Sequence, residues 1–128
     1  MSSTEVFAVV TGGGTSGHVV PAIAILELLQ DAGHAPQSLR YVGSRRGIEK
    51  TLMKDLIFEC EYLPISGLQR SASLKSVLRN ALLPQAIVRS YVQAYRLIRR
   101  WKPAVVVSVG GYASSPMAFA ARLSGVAL

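Results

Sequence analysis

An apolar run, Val6–Val10, gives way to Thr11-Gly12-Gly13-Gly14-Thr15-Ser16-Gly17-His18, after which helical periodicity holds from Val19 to Leu29. A strand, a glycine turn and a helix in that order open a βαβ unit, which in turn demands a parallel sheet. Glycines let the backbone approach a ligand closely, and the first turn of the following helix offers N–H groups with partial positive charge to an anion. The turn reads as a phosphate cradle, or as a tight structural turn without a ligand. It ends on His18, the only side chain in it that exchanges a proton near neutral pH. At a helix N-terminus the dipole favours the neutral imidazole. His18 reads as a general base or as a residue that merely caps the helix.

Further along, short apolar runs alternate with helical patterns. The strands expected are Glu5–Thr11, Ser38–Val42, Phe58–Leu63 and Ala104–Val109, and the helices are Val19–Ala32, Gly47–Lys54, a long region within Ser73–Trp101, and Ser115–Ser124. Pro84 is expected to split the long region into two helices, whereas Pro21 and Pro116 fall near helix starts, where a missing N–H costs nothing. Val105-Val106-Val107 is apolar without alternation, as in a parallel strand covered on both faces. The fold class expected is α/β, a Rossmann-like doubly wound parallel sheet, with ligands gathered at the carboxyl ends of the strands. Gly125 reads as a helix stop and Val126–Leu128 as the first residues of another strand, so the natural protein is expected to continue.

Gly12-x-Gly14-x-x-Gly17 matches the dinucleotide fingerprint, but the acidic residue that would hold a ribose at the end of the second strand is missing. Arg45 and Arg46 stand there instead, so a simple NAD site is disfavoured, while an NADP-binding module stays open. A second glycine turn, Gly110-Gly111-Tyr112-Ala113-Ser114-Ser115-Pro116, follows the last strand. Two such turns on one sheet edge can clamp a diphosphate, with Gly13, Gly14, Gly110 and Gly111 supplying backbone and Tyr112, Ser114 and Ser115 hydroxyl donors.

The net charge of +7 is distributed unevenly. All seven acidic residues lie at or before Glu61, whereas nine of the fourteen cations follow it. So one-sided a surface suits an anionic partner, namely nucleic acid, acidic lipid or a pyrophosphate, or else is a solvated basic face. Leu74, Val77, Leu78, Ala81 and Leu82 form a short apolar stripe beside Lys75 and Arg79, which reads as a peripheral membrane contact or as core. The stripe Ile87, Tyr91, Ala94, Ile98 and Trp101 reads as packing on the domain's own sheet. Cys60 is the only cysteine, so no intrachain disulfide forms. No metal cluster, paired carboxylates or Ser-His-Asp set can be assembled from the spacings, and His34 reads as a helix-end residue.

Thr11–Ala22, Gly43-Ser44-Arg45-Arg46-Gly47-Ile48-Glu49, Ile65-Ser66-Gly67-Leu68 and Gly110–Pro116 together resemble the MurG family of bacterial transferases, which add N-acetylglucosamine to lipid I, an undecaprenyl-diphosphate-linked muramyl pentapeptide. Ser16 stands where many members have glycine. The resemblance covers the family's N-terminal, acceptor-side domain only. It implies the first half of a GT-B architecture, with a C-terminal donor-binding domain absent here. It further implies His18 as base, Thr15, Ser16 and Gly17 touching UDP-N-acetylglucosamine, and Gly110, Gly111 and Tyr112 in the second diphosphate loop. Leu74, Lys75, Val77, Leu78, Arg79 and Leu82 match the family's patch for an anionic membrane surface. No cofactor, metal or nucleic acid is implied, and the location is cytoplasmic, peripheral on the inner face of the plasma membrane. A noncatalytic acceptor-binding or membrane-recruiting half working with a separate donor-binding subunit is the alternative.

Overall fold

The computed structural model describes residues 5–65 and 74–128, apart from the side chains of Lys75, Ser76, Arg79 and Leu82. Ser66, Gly67 and Leu68 of the third motif also lie outside the described residues.

Strands β1 (Ala8–Thr11), β2 (Leu39–Ser44), β3 (Glu59–Leu63) and β4 (Val105–Ser108) form one sheet in the order β3-β2-β1-β4. Every pairing is parallel. Helix α1 (Ser16–Asp31) connects β1 to β2, the short α2 (Glu49–Met53) connects β2 to β3, α3 (Leu74–Trp101) precedes β4, and α4 (Ser115–Leu123) follows it. Two of the strand and helix starts lie later or earlier than the periodicity suggests. β1 begins at Ala8, although single bonds from Phe7 N–H to Ser38 O and from Val105 N–H to Phe7 O prolong it. α1 begins at Ser16 because Thr15, still extended at φ −136° and ψ 157°, already accepts the N–H groups of His18 and Val19.

Side chains alternate across the sheet as the two-residue period of a strand requires. Val9, Val42 and Val106 point to one side, where Ala94, Leu97 and Ile98 of α3 and Met117, Ala120 and Ala121 of α4 cover them. Ala8, Val10, Leu39 and Tyr41 point to the other, against Ala22 and Leu26 of α1 and Met53 of α2. Both faces are therefore buried and the sheet is doubly wound, as expected.

Two expectations about proline need correction. α3 runs unbroken for 28 residues with Pro84 inside it. Pro84 is exposed, so its ring removes one N–H from the ladder on the solvent side instead of ending the helix. Pro21 lies past the first turn of α1, where a missing N–H does carry a cost. Gly125, at φ +71°, closes α4 as foreseen, and Ala127 makes a single parallel bridge to Val105. His34 follows α1 and stacks on Phe7 with ring centroids 3.9 Å apart.

Tyr41 is fully buried, and its hydroxyl donates to Gly12 O across the sheet edge. Burial, followed by the Glu49 carboxylate, pushes its phenol well above the ordinary value of 10.0. Burial likewise raises the neighbouring Tyr62. A raised acid pKa contributes stability that is present below the unfolded value and lost as pH rises through the folded one. Chemical denaturation of the wild-type chain is accordingly expected to show stability declining as pH passes 10. Tyr41→Phe is expected to lower stability at pH 7 by about 1 kcal/mol through loss of the Gly12 bond, and to flatten the alkaline decline. An identical alkaline slope in the two proteins would contradict this assignment.

Candidate functional site

The chain runs from β1 outward through β2 to β3 and then crosses back by α3 to place β4 on the other side of β1, so the winding reverses there and a crevice opens at the carboxyl ends of β1 and β4. Thr11 pairs with Ser108, and the Val109 N–H donates to Thr11 O at 2.9 Å. The glycine turns that follow these strands are thereby placed side by side.

They also interlock. Gly111, at φ +82°, sets its Cα against the Gly13 carbonyl and the His18 ring, and an added Cβ would lie 3.2 Å from His18 Nδ1. Gly14, at φ +94°, lies against the half-buried Tyr112 ring, with an added Cβ 2.7 Å from Tyr112 Cζ. Only glycine satisfies both the positive φ and the close approach at these two positions. The imidazole of His18 is therefore boxed by Gly110 and Gly111 of the opposite turn. Its Nδ1 is 2.9 Å from Thr15 Oγ1. With the ring proton on Nδ1 and donated to Thr15, the lone pair of Nε2 is available to take a proton from a ligand. Thr15 is thus engaged through its hydroxyl with the histidine and makes no side-chain cap to α1.

Thr15, Ser16 and Gly17 are exposed at the first turn of α1. The exposed Ser115 opens α4 on the same edge, just beyond the turn Tyr112–Ser114. Gly13 and Ser114, in contrast, are buried. Ser114 Oγ donates to Gly111 O at 2.9 Å, so its hydroxyl holds the second turn in shape. The Gly14 N–H points inward and donates to Glu49 Oε2 at 3.2 Å. Four of the residues expected to receive a diphosphate, Gly110, Gly111, Tyr112 and Ser115, are at least partly exposed. Gly13 and Ser114 lie behind them, and the Gly14 amide is already engaged.

Glu49 is the residue sequence reasoning overlooked. The dinucleotide pattern calls for an acid at the end of β2 as a partner for a ribose. The acid present, five residues past Ser44, is instead fully buried and faces the glycine loop from beneath. Its signal lay in Gly43-x-x-x-Gly47-x-Glu49, two glycines closing on a carboxylate. Arg45 and Arg46 are exposed. Arg45 lines a groove of about 380 Å³ with Pro64, Val88, Arg89 and Arg96.

Among the described residues no group of three or more His, Cys, Asp or Glu side chains could hold a metal ion. Burial, as the main cause, raises the Cys60 thiol above its usual value, which disfavours the thiolate. Leu74, Val77 and Leu78 are 75%, 55% and 57% exposed, so the first apolar stripe does not pack on the sheet. The side chains of Lys75, Arg79 and Leu82 lie outside the described residues. In the second stripe Ala94 and Ile98 are buried and Tyr91 meets Phe119 edge-on at 5.4 Å, as expected of core, but Ile87, also expected there, is exposed. No helix among the described residues is long and apolar enough to cross a membrane.

Two curated relatives carry the name UDP-N-acetylglucosamine--N-acetylmuramyl-(pentapeptide) pyrophosphoryl-undecaprenol N-acetylglucosamine transferase. That of Syntrophus aciditrophicus is 39% identical over 118 residues, covering 92% of this chain and 31% of its own. That of Desulforamulus reducens is 40% identical over 119 residues, covering 93% and 31%. The crystal structure of Acinetobacter baumannii MurG superposes with a TM-score of 0.76 at 29% identity, covering 94% of this chain and 33% of that one. The chain thus spans about a third of the length of these relatives. Residues 8–128 match the glycosyltransferase family 28 N-terminal domain, and the chain belongs to that family.

Proposed function

We propose that the chain is the acceptor-side half of an inverting GT-B transferase that moves N-acetylglucosamine from UDP-N-acetylglucosamine to lipid I. The observation that carries this reading is His18, held through Nδ1 by Thr15 and boxed by the second glycine turn at the β1–β4 crevice. His18 Nε2 takes the proton of the muramyl 4-hydroxyl as that oxygen attacks the anomeric carbon. The new C–O bond forms as the bond from that carbon to the β-phosphate oxygen breaks, and UDP leaves with the electron pair. Opposite-side attack inverts the anomeric centre.

The acceptor diphosphate is assigned to Gly110, Gly111, Tyr112 and Ser115, with Gly13, Gly14 and Ser114 shaping the turns behind them. Ser16 and Gly17, at the open first turn of α1, face the donor, and Thr15 reaches it only through its backbone. Two helix N-termini on one edge supply the positive potential that a diphosphate needs. In a complete transferase His18→Ala is expected to lower turnover about 10²–10⁴-fold with the fold retained. Wild-type turnover in that variant, with both substrates saturating, would remove His18 from the mechanism.

The uridine is assigned to the two thirds of the relatives' length that these residues do not span. Alone, the 128-residue chain is expected to transfer no sugar. Radiolabelled transfer to a lipid I analogue, with and without the C-terminal part of a relative added as a separate chain, measures this. Sustained transfer by the chain alone would place the uridine site within it. Transfer appearing only with the second chain is also what a half dependent on a separate donor subunit would show, and co-purification of such a subunit would favour that alternative.

The exposed Leu74, Val77 and Leu78, at the head of a half of the chain that has no acids, are assigned to the cytoplasmic face of an anionic bilayer. Each cation near the surface contributes about 1 kcal/mol, so added salt should release the protein. In vesicle co-sedimentation Leu78→Glu and Arg79→Glu are expected to weaken binding. Equal binding by all three proteins, or equal binding to neutral lipid, would end the membrane assignment.

A further inference from the structure

Glu49 is an acid with no solvent contact, inside a domain whose proposed ligands are anions. Its carboxylate accepts the N–H of Gly14 through Oε2 and that of Ser44 through Oε1, joining the turn after β1 to the end of β2. Three glycines surround it. An added Cβ at Gly13 would lie 2.8 Å from Glu49 Cδ, one at Gly43 2.8 Å from Glu49 Cγ, and one at Gly47 2.6 Å from Glu49 Cδ. None of the three is among the glycines with positive φ, so space and not backbone conformation excludes a side chain at these positions. Tyr41, whose hydroxyl bonds to Gly12 O, closes the same pocket against Gly13 and Gly43.

An open glycine loop converges its amides on a ligand anion and is ordered when the ligand arrives. Here the Gly14 amide converges on an anion that belongs to the chain. We infer that Glu49 is a positioning residue for the proposed transfer: a built-in carboxylate that orders the first glycine turn before any ligand binds, and so holds Thr15 and His18 in the crevice. The second half of this inference rests on the transferase reading, whereas the first half does not. Preorganising the turn removes an ordering cost from the bound state. It also turns one backbone donor inward and places negative charge below Gly13–Gly14, which steers a ligand phosphate towards the Gly110–Gly111 side.

Glu49→Gln keeps the shape but sets an NH₂ against one of the two N–H donors. In this variant of the chain, amide exchange at Gly14 or Ser44 is expected to quicken at least about tenfold, and the His18 imidazole ¹⁵N shifts are expected to move. A thermal double-mutant cycle covers the case in which the variant is too unstable to study. Gly47→Ala should lower the Tm markedly beside Glu49 and much less in a Glu49→Ala background, because the methyl then has room. Additive Tm changes, or Gly14 and His18 signals at wild-type positions in Glu49→Gln, would overturn the inference. In a complete transferase Glu49→Gln should lower kcat on the order of 10²-fold with KM for the donor little changed, since a misplacement of about 1 Å suffices for that loss. Unchanged kcat alongside a displaced Gly14 amide would also overturn the positioning role. Absence of transfer in the wild type would instead count against the transferase reading, leaving the amide, imidazole and Tm results to decide the role of Glu49.

Discussion

The pairing of β1 with β4 is the constraint on which the rest depends. It brings Thr11 beside Ser108 and so sets two glycine turns, distant in sequence, on one sheet edge. Neither turn makes the crevice alone. The first supplies His18, but the ring is confined by Gly110 and Gly111 of the second, and the second is shaped by the Gly13 carbonyl and the Cα of Gly14. Parallel pairing across so long a separation is entropically expensive to form, and the apolar β4 residues Val105 to Val107 are what make it favourable.

Electrostatics follow from the same arrangement. Two helix N-termini and the cations beyond Glu61 give the domain a field that attracts anions. A fully buried carboxylate in such a domain would be costly without partners, and Glu49 finds them in backbone N–H groups that would otherwise face a ligand or lie unsatisfied. The helix-end field that favours a phosphate outside favours this carboxylate inside. The loop is in effect saturated on its inner face and open on its outer one.

How much of this was legible in the sequence depended on how local the cause was. A strand, a glycine turn and a helix are contiguous, so the βαβ order, the parallel sheet and the position of His18 could all be read from Val6–Leu29. The second turn was legible for the same reason. The bond from the Gly14 N–H to Glu49 spans 35 residues, and nothing in the spacing announces it. An acid that held a ribose near the end of β2 would face out, and Glu49 faces in. The role of Thr15 was likewise hidden, because a threonine before a helix is ordinarily a cap, and only the rotamer seen in three dimensions directs its hydroxyl to Nδ1. Pro84 misled for a different reason: propensity predicts a break, but an exposed proline in a long helix anchored further along by Ala94, Leu97 and Ile98 removes one hydrogen bond without undoing the rest.

α3 shows how one periodic pattern can serve two environments. Its two apolar stripes, Leu74–Leu82 and Ile87–Trp101, lie on different faces of the helix, and only the second has sheet and α4 beneath it. Helical periodicity alone cannot distinguish the two parts, since a stripe facing lipid and a stripe facing a core obey the same 3.6-residue rule. What separates them is the face of α3 they occupy, since Val88 and Val92, on the Leu74 side, are exposed as well. Ala94, Leu97 and Ile98 meet Val9, Val42 and Val106, whereas Leu74, Val77 and Leu78, on another face of the helix, are exposed. Burying a leucine or valine side chain is worth about 1.5–3 kcal/mol. Three left exposed on one turn and a half of helix therefore forgo several kcal/mol of folding stability. A covering surface that buries them recovers this free energy, and an amphipathic segment fixed at one end to a rigid core can make that contact without reorganising the crevice.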